Sequence, residues 1–188
     1  SASVNGGSQP SMNGASASQS PNALLGFEIS DQGNAEAFAF VRVNEFVYTE
    51  THGWLHYNGS YWDNTNAKAR IKNAVVHVLR RRIQTALRFN PTTSDRLIRF
   101  CTPNTANQNA TVEALQNVLS GDIKNFDNEP DLLNCMNGVV DLRTGQLISH
   151  DSSQLFTYIV PVEYDPNADS VVWMETLYKN TRPDDDEY

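Results

Sequence analysis

Residues 63–91 read DNTNAKARIKNAVVHVLRRRIQTALRFNP, and this stretch decides the fold. At about 100° per residue, Ile71, Val75, Val78, Leu79 and Ala86 fall on one side of a single long helix, a pattern that requires a core to receive them. Asp63 or Asn64 stands where a helix cap belongs. Asn90-Pro91 stops the helix near Phe89, because the residue before a proline is pushed out of the α region. The opposite side carries Arg70, His77, Arg81 and Arg88, three arginines on a stripe some 25–30 Å long at 1.5 Å rise per residue. Arg80 lies beside the stripe, and Lys72 completes the candidate set. Arg82 falls inside the apolar arc and is predicted to be an internal ion-pair partner or the mark of a kink.

Working outward, the pattern is that of a mainly helical α+β single domain with small β-hairpins. Asn34 to Asn44 has helical character with Asn34 as cap, and Phe46 to Thr49 reads as a short strand. Gly53 to Tyr57 and Ser60 to Trp62 flank Asn58-Gly59, the residues of a two-residue type I′ turn. Asp95 to Cys101 and Thr105 to Leu119 are predicted helices. Gly138 to Leu142 and Gln146 to Ile148 are predicted strands around Arg143-Thr144-Gly145. Phe156 to Tyr164 is extended, and Ser170 to about Asn180 is helical. Trp54 and Trp62 are expected in the core, sealing the hairpin against it.

The chain has 188 residues and a formal net charge of −8, with the charge unevenly spread. Residues 68–99 hold nine basic side chains against Asp95 alone, whereas residues 120–188 hold fourteen acids against four bases. An acidic total excludes a protein coated with DNA-binding charge but leaves room for a local basic patch. Residues 1–22 contain no charged side chain and are expected to form a flexible linker, because they have too little apolar surface to offset ordering. The folded domain is expected over 23–182, and 183–188, Pro-Asp-Asp-Asp-Glu-Tyr, reads as the truncated start of a following segment. The two cysteines, Cys101 and Cys135, lack CxxC spacing and are expected to be reduced thiols of an intracellular protein. No apolar run reaches membrane-spanning length, so no membrane partner is expected.

The absent motifs constrain the chemistry. No GxxxxGK[ST], GxGxxG, GxSxG or HExxH sequence occurs, so the fragment is not expected to be an enzyme, to hold a cofactor or to hydrolyse a nucleotide by itself. His52 and His56 read as edge histidines rather than a metal pair. Asp165 to Asp169 begins like a calcium loop, but Ser170 and Thr176 stand where glycine and glutamate are needed. Asp122, Asp127, Glu129 and Asp131 read as loop acids rather than a two-metal centre.

Three blocks carry a resemblance. The first is Asn34-Ala35-Glu36 followed by GWLHYNGSYW over 53–62, and the second is LNCMNGVVDLRTGQL over 133–147. The third is Phe156-Thr157 followed by PVEYDPNA over 161–168. Together they resemble the domain that precedes the helicase motor in poxvirus, phage and plasmid primase–helicases. The resemblance implies a collar or connector beside a superfamily-three AAA+ module that would carry the ATP and Mg of the parent helicase. It further implies neighbouring subunits of a homo-oligomeric ring and single-stranded or forked DNA as partners. The most distinctive block, NGVVDLRTG, also has a purely structural explanation as a hairpin. The arginine stripe has three open readings: it follows a phosphate backbone, it is a solvated face, or it docks onto acids of this chain or of a neighbouring subunit.

Overall fold

The computed structural model describes residues 22–181; the expected linker, apart from Asn22, and the acid-rich segment 183–188 lie outside the described residues. The fold is the mainly helical α+β domain that the sequence predicts, with five helices and two three-stranded antiparallel sheets. After a short 3-10 turn at Ala23–Leu25 come α1 (Asp31–Val41), β1 (Phe46–Thr49), β2 (Gly53–Tyr57) and β3 (Trp62–Asp63). Then follow α2 (Ala67–Phe89), α3 (Pro91–Cys101) and α4 (Thr105–Val118). The second sheet is β4 (Leu132–Cys135), β5 (Gly138–Asp141) and β6 (Gln146–Ile148), and α5 (Val171–Thr181) closes the described chain.

The long helix α2 organises the core. Ile71, Val75, Val78, Leu79 and Ala86 are all buried, packed with Phe38 of α1, Leu97 of α3 and Val112 and Leu115 of α4. The first sheet lies between this core and a smaller cluster. Phe46, Tyr48 and Trp54 face the helices, whereas Val47, Leu55 and Trp62 face Phe126, as the two-residue alternation of a strand dictates. Both tryptophans are therefore buried, as the sequence predicts.

Several local details differ from the sequence reading. Ser30, not Asn34, caps α1, its Oγ accepting from the N–H of Gly33 at 3.1 Å. Gly33 is itself required, because a Cβ there would stand 2.0 Å from the Glu28 carbonyl oxygen. The β2–β3 connection is a four-residue loop rather than a type I′ turn: Tyr57 pairs with Trp62, and Asn58 Oδ1 accepts from the N–H groups of Ser60 and Tyr61. Neither Asp63 nor Asn64 caps α2; the helix begins after Asn66, and Asp63 instead accepts from the Thr65 N–H. Pro91 opens α3 immediately, four residues earlier than expected, since a first-turn N–H has no helical partner to lose.

Arg82 is the largest correction. It is fully buried but forms no ion pair among the described residues. Nη1 donates to Asn34 Oδ1, while Nη2 donates to the carbonyls of Phe27 at 2.8 Å and Glu28 at 3.0 Å. Asn34 Oδ1 also receives the Cys101 thiol at 3.1 Å. One guanidinium thus ties α1, α2, α3 and the segment before α1 through neutral acceptors. Burial lowers its pKa and pushes the Cys101 thiol up to about 11. Both cysteines are free and buried.

Turn chemistry shapes the second sheet. β4, absent from the sequence reading, pairs with β5, while 156–164 forms no regular strand and only a bridge between Val160 and Cys135. Asp141 Oδ1 accepts from the Arg143 and Thr144 N–H groups, Tyr164 Oη donates to the Gly145 carbonyl, and Asn137 exchanges two bonds with the Tyr164 backbone. Gly138 sits at φ +150°, where a Cβ would meet the Ile148 carbonyl at 2.6 Å. The NGVVDLRTG block is therefore a hairpin scaffold, as its residues suggest. Buried Asn134 joins the two sheets, donating to the carbonyls of Ser60 and Tyr158.

Candidate nucleic-acid interface

The side of α2 turned away from the core presents Arg70, Arg80, Arg81 and Arg88, all exposed. Arg70, Arg81 and Arg88 lie within about 20° of one another on the helix and span about 27 Å of its axis. Only two salt bridges occur among the described residues, Arg42–Glu45 and Arg143–Asp131, so none of the four stripe arginines pairs with a carboxylate there. No acid of residues 120–181 forms a salt bridge with a stripe arginine. Lys72 is only half-exposed and stands about 160° around the helix from Arg70, outside the stripe.

The stripe's two ends meet different surroundings. At the N-terminal end, Arg70 lies beside His56 of β2. Partial burial of the imidazole, followed by this guanidinium, holds the His56 pKa below its ordinary value. The His56 ring packs on Phe46 at 5.0 Å within the first sheet. At the C-terminal end, Arg88 lies over the ring of Phe89 at 5.1 Å, and Phe89 is 45% exposed. The exposed aromatic that accompanies the basic face is therefore Phe89 and not a hairpin tryptophan. The signal was available: Phe89 is the last residue before the Asn-Pro stop, where the core no longer covers the helix.

Midway, the C-terminus of α1 packs across α2 and brings Arg42 to the stripe. Val41, Arg42, His77, Val78 and Arg81 line a groove of about 280 Å³. Arg42 lies outside the long helix in sequence, and only the packing of α1 on α2 places it there. A second pocket of about 270 Å³, walled by Leu55, Trp62 and Phe126 and edged by His52, Asp63 and Asp127, opens near the start of α2.

Three of the four candidate loop acids have structural duties. Asp122 caps a 3-10 turn through the Lys124 N–H, Asp127 accepts from the N–H and hydroxyl of Thr157, and Asp131 pairs with Arg143. Among the described residues no cluster of three or more His, Cys, Asp or Glu could hold a metal ion, and no helix is long and apolar enough to cross a membrane.

A search of curated proteins finds no match to this chain. The family model described as "D5 N terminal like" matches residues 39–181, from within α1 to the end of α5. That span takes in α2, the stripe and both sheets, and the domain it describes is the non-catalytic N-terminal part of D5-like proteins. The chain belongs to the D5 N terminal like family, the N-terminal domain of D5-like primase–helicases of poxvirus, phage and plasmid origin.

Proposed function

We propose that this domain helps a replicative primase–helicase engage single-stranded or forked DNA by laying the phosphate backbone along the arginine face of α2. The observation that carries this reading is the stripe itself: Arg70, Arg80, Arg81 and Arg88 are exposed on one side of a rigid helix without a carboxylate partner among the described residues. Guanidinium groups bind phosphate oxygens in two-pronged fashion, and each phosphate neutralised releases counterions. Phe89, beside Arg88, offers a ring on which a base can stack. The net charge of −8 opposes DNA elsewhere on the surface, so binding by one copy is weak. Neighbouring copies in a ring multiply such contacts. ATP and Mg belong to the parent's AAA+ helicase module, which would act beside this domain at the intracellular site of replication.

The charge distribution favours a second reading, in which the same face docks on the acids of a neighbouring subunit. A titration of labelled single-stranded and forked DNA at several salt concentrations separates the two. Replacing Arg70, Arg81 and Arg88 together with glutamine is expected to flatten the log–log salt slope for single strands by about 2, at about 0.7 per lost contact. An unchanged slope in a folded triple variant whose oligomeric mass falls would replace the DNA reading with subunit docking.

A further inference from the structure

The groove between the end of α1 and the middle of α2 has a chemistry that the stripe alone does not have. Its floor is apolar, Val41 and Val78, and its rim holds two guanidinium groups and an imidazole, Arg42, Arg81 and His77. Arg81 has no carboxylate partner among the described residues. Arg42 gives only Nη1 to Glu45, at 3.2 and 3.0 Å from the two carboxylate oxygens. Its Nη2 and Nε carry no hydrogen bond among the described residues, so a fork of donors remains while Glu45 fixes the stem. Two guanidinium groups, one from the end of α1 and one from α2, converging on one concavity suit a phosphate oxyanion, whose oxygens accept in two-pronged fashion, better than a neutral ligand.

We infer that this groove is a phosphate seat, formed by Arg42 and Arg81 with His77 as a further N–H donor, which pins one backbone phosphate of a DNA strand midway along the stripe. The inference rests on the DNA-engagement reading and adds to it a fixed point. A stripe on one helix lets a strand slide along it, whereas donors converging from two helices define a position. Glu45 occupies part of the Arg42 donor set and opposes the incoming charge, so it limits the affinity of the seat.

The test uses the full 188-residue chain. Arg42→Gln and Glu45→Gln both break the Arg42–Glu45 pair, so a purely structural pair would make the two variants alike in DNA binding. The seat predicts opposite signs. Arg42→Gln is expected to weaken oligothymidylate binding and to make the salt slope shallower by about 0.7, while Glu45→Gln is expected to tighten binding. Equal changes of the same sign in the two variants, or no change in either, overturn the seat.

Side-chain NMR of Arg42, Arg81 and His77 then distinguishes the source of the phosphate. The expected result is that oligothymidylate shifts these resonances at concentrations where inorganic phosphate and thymidine monophosphate do not. Saturation by inorganic phosphate with no response to the strand overturns the assignment to DNA. The stripe and the seat can fail separately. Strand binding that depends on Arg70, Arg81 and Arg88 but is indifferent to Arg42 and Glu45 removes the seat alone, and a wild-type chain that binds no strand removes both.

Discussion

The helical half of the molecule and its second sheet are held together by different physics. Around α2, one contiguous cluster buries residues from four helices and the first sheet, and its one buried charge, Arg82, is distributed over neutral acceptors. The β4–β6 sheet buries few side chains of its own beyond Asn134, Cys135, Val139 and Val140, and β6 is exposed along its length. Side-chain bonds to turn backbone, at Asn137, Asp141 and Tyr164, give that sheet its shape. The block that most readily identifies the family thus lies where residue identity is dictated by turn geometry. The candidate interface lies where sequence need only alternate apolar and basic residues at helical spacing. Recognisability and function need not share residues.

The sharpest way to break this comparison is at Arg82. Arg82→Ala empties a buried volume and leaves Asn34 Oδ1 and the carbonyls of Phe27 and Glu28 without their donor. A loss of about 3–5 kcal/mol in urea unfolding is expected. A loss below about 1 kcal/mol would show that the guanidinium is not what joins the helices.

A second prediction uses pH to separate the halves. The Cys101 pKa is raised, to about 11, from an ordinary thiol value near 9.0. The folded state therefore retains a proton that the unfolded chain loses as pH rises past about 9. Stability is complete below that value and declines between about pH 9 and 11 by about 1–3 kcal/mol. In the sheet half the signs reverse. Bonds from the Arg143 N–H to Asp141, and from the Ser153 side chain and N–H to Asp151, lower both carboxyl pKa values, so that contribution is present above the ordinary carboxyl range and is lost as pH falls through it. Amide exchange measured across pH should loosen the helices first in alkali and the sheet turns first in acid. Cys101→Ala should remove the alkaline decline; if the decline persists unchanged, the thiol is not its source.

The smallest effect is expected at the surface of the sheet. Asp131 and Arg143 form an ion pair with side chains 43% and 76% exposed. Asp131→Asn should change the free energy of urea unfolding by less than about 0.5 kcal/mol, because water screens the pair and its side chains give up entropy to hold it. A larger effect would mean that electrostatics, and not turn hydrogen bonding alone, holds this half.

Elements with their own period are legible from the residues alone. The apolar arc of α2, its stop at Asn90-Pro91, α4, the β1–β2 strands and the β5–β6 hairpin could all be read from residues three, four or two apart, because local backbone geometry sets those spacings. The exposed stripe of Arg70, Arg81 and Arg88 was legible for the same reason. Only the tertiary structure decided the fate of Arg82, since a guanidinium in an apolar arc demands partners but does not say that they are Asn34 and two carbonyls some fifty residues away. Ser30 displaced Asn34 as the α1 cap on the same ground: Arg82 and Cys101 already engage the Asn34 side chain. Arg42 joined the candidate interface because α1 crosses α2, a contact between segments with no shared period. Periodicity is a property of one element and shows in one dimension; convergence of donors from several elements is a property of packing, and no single stretch of sequence encodes it.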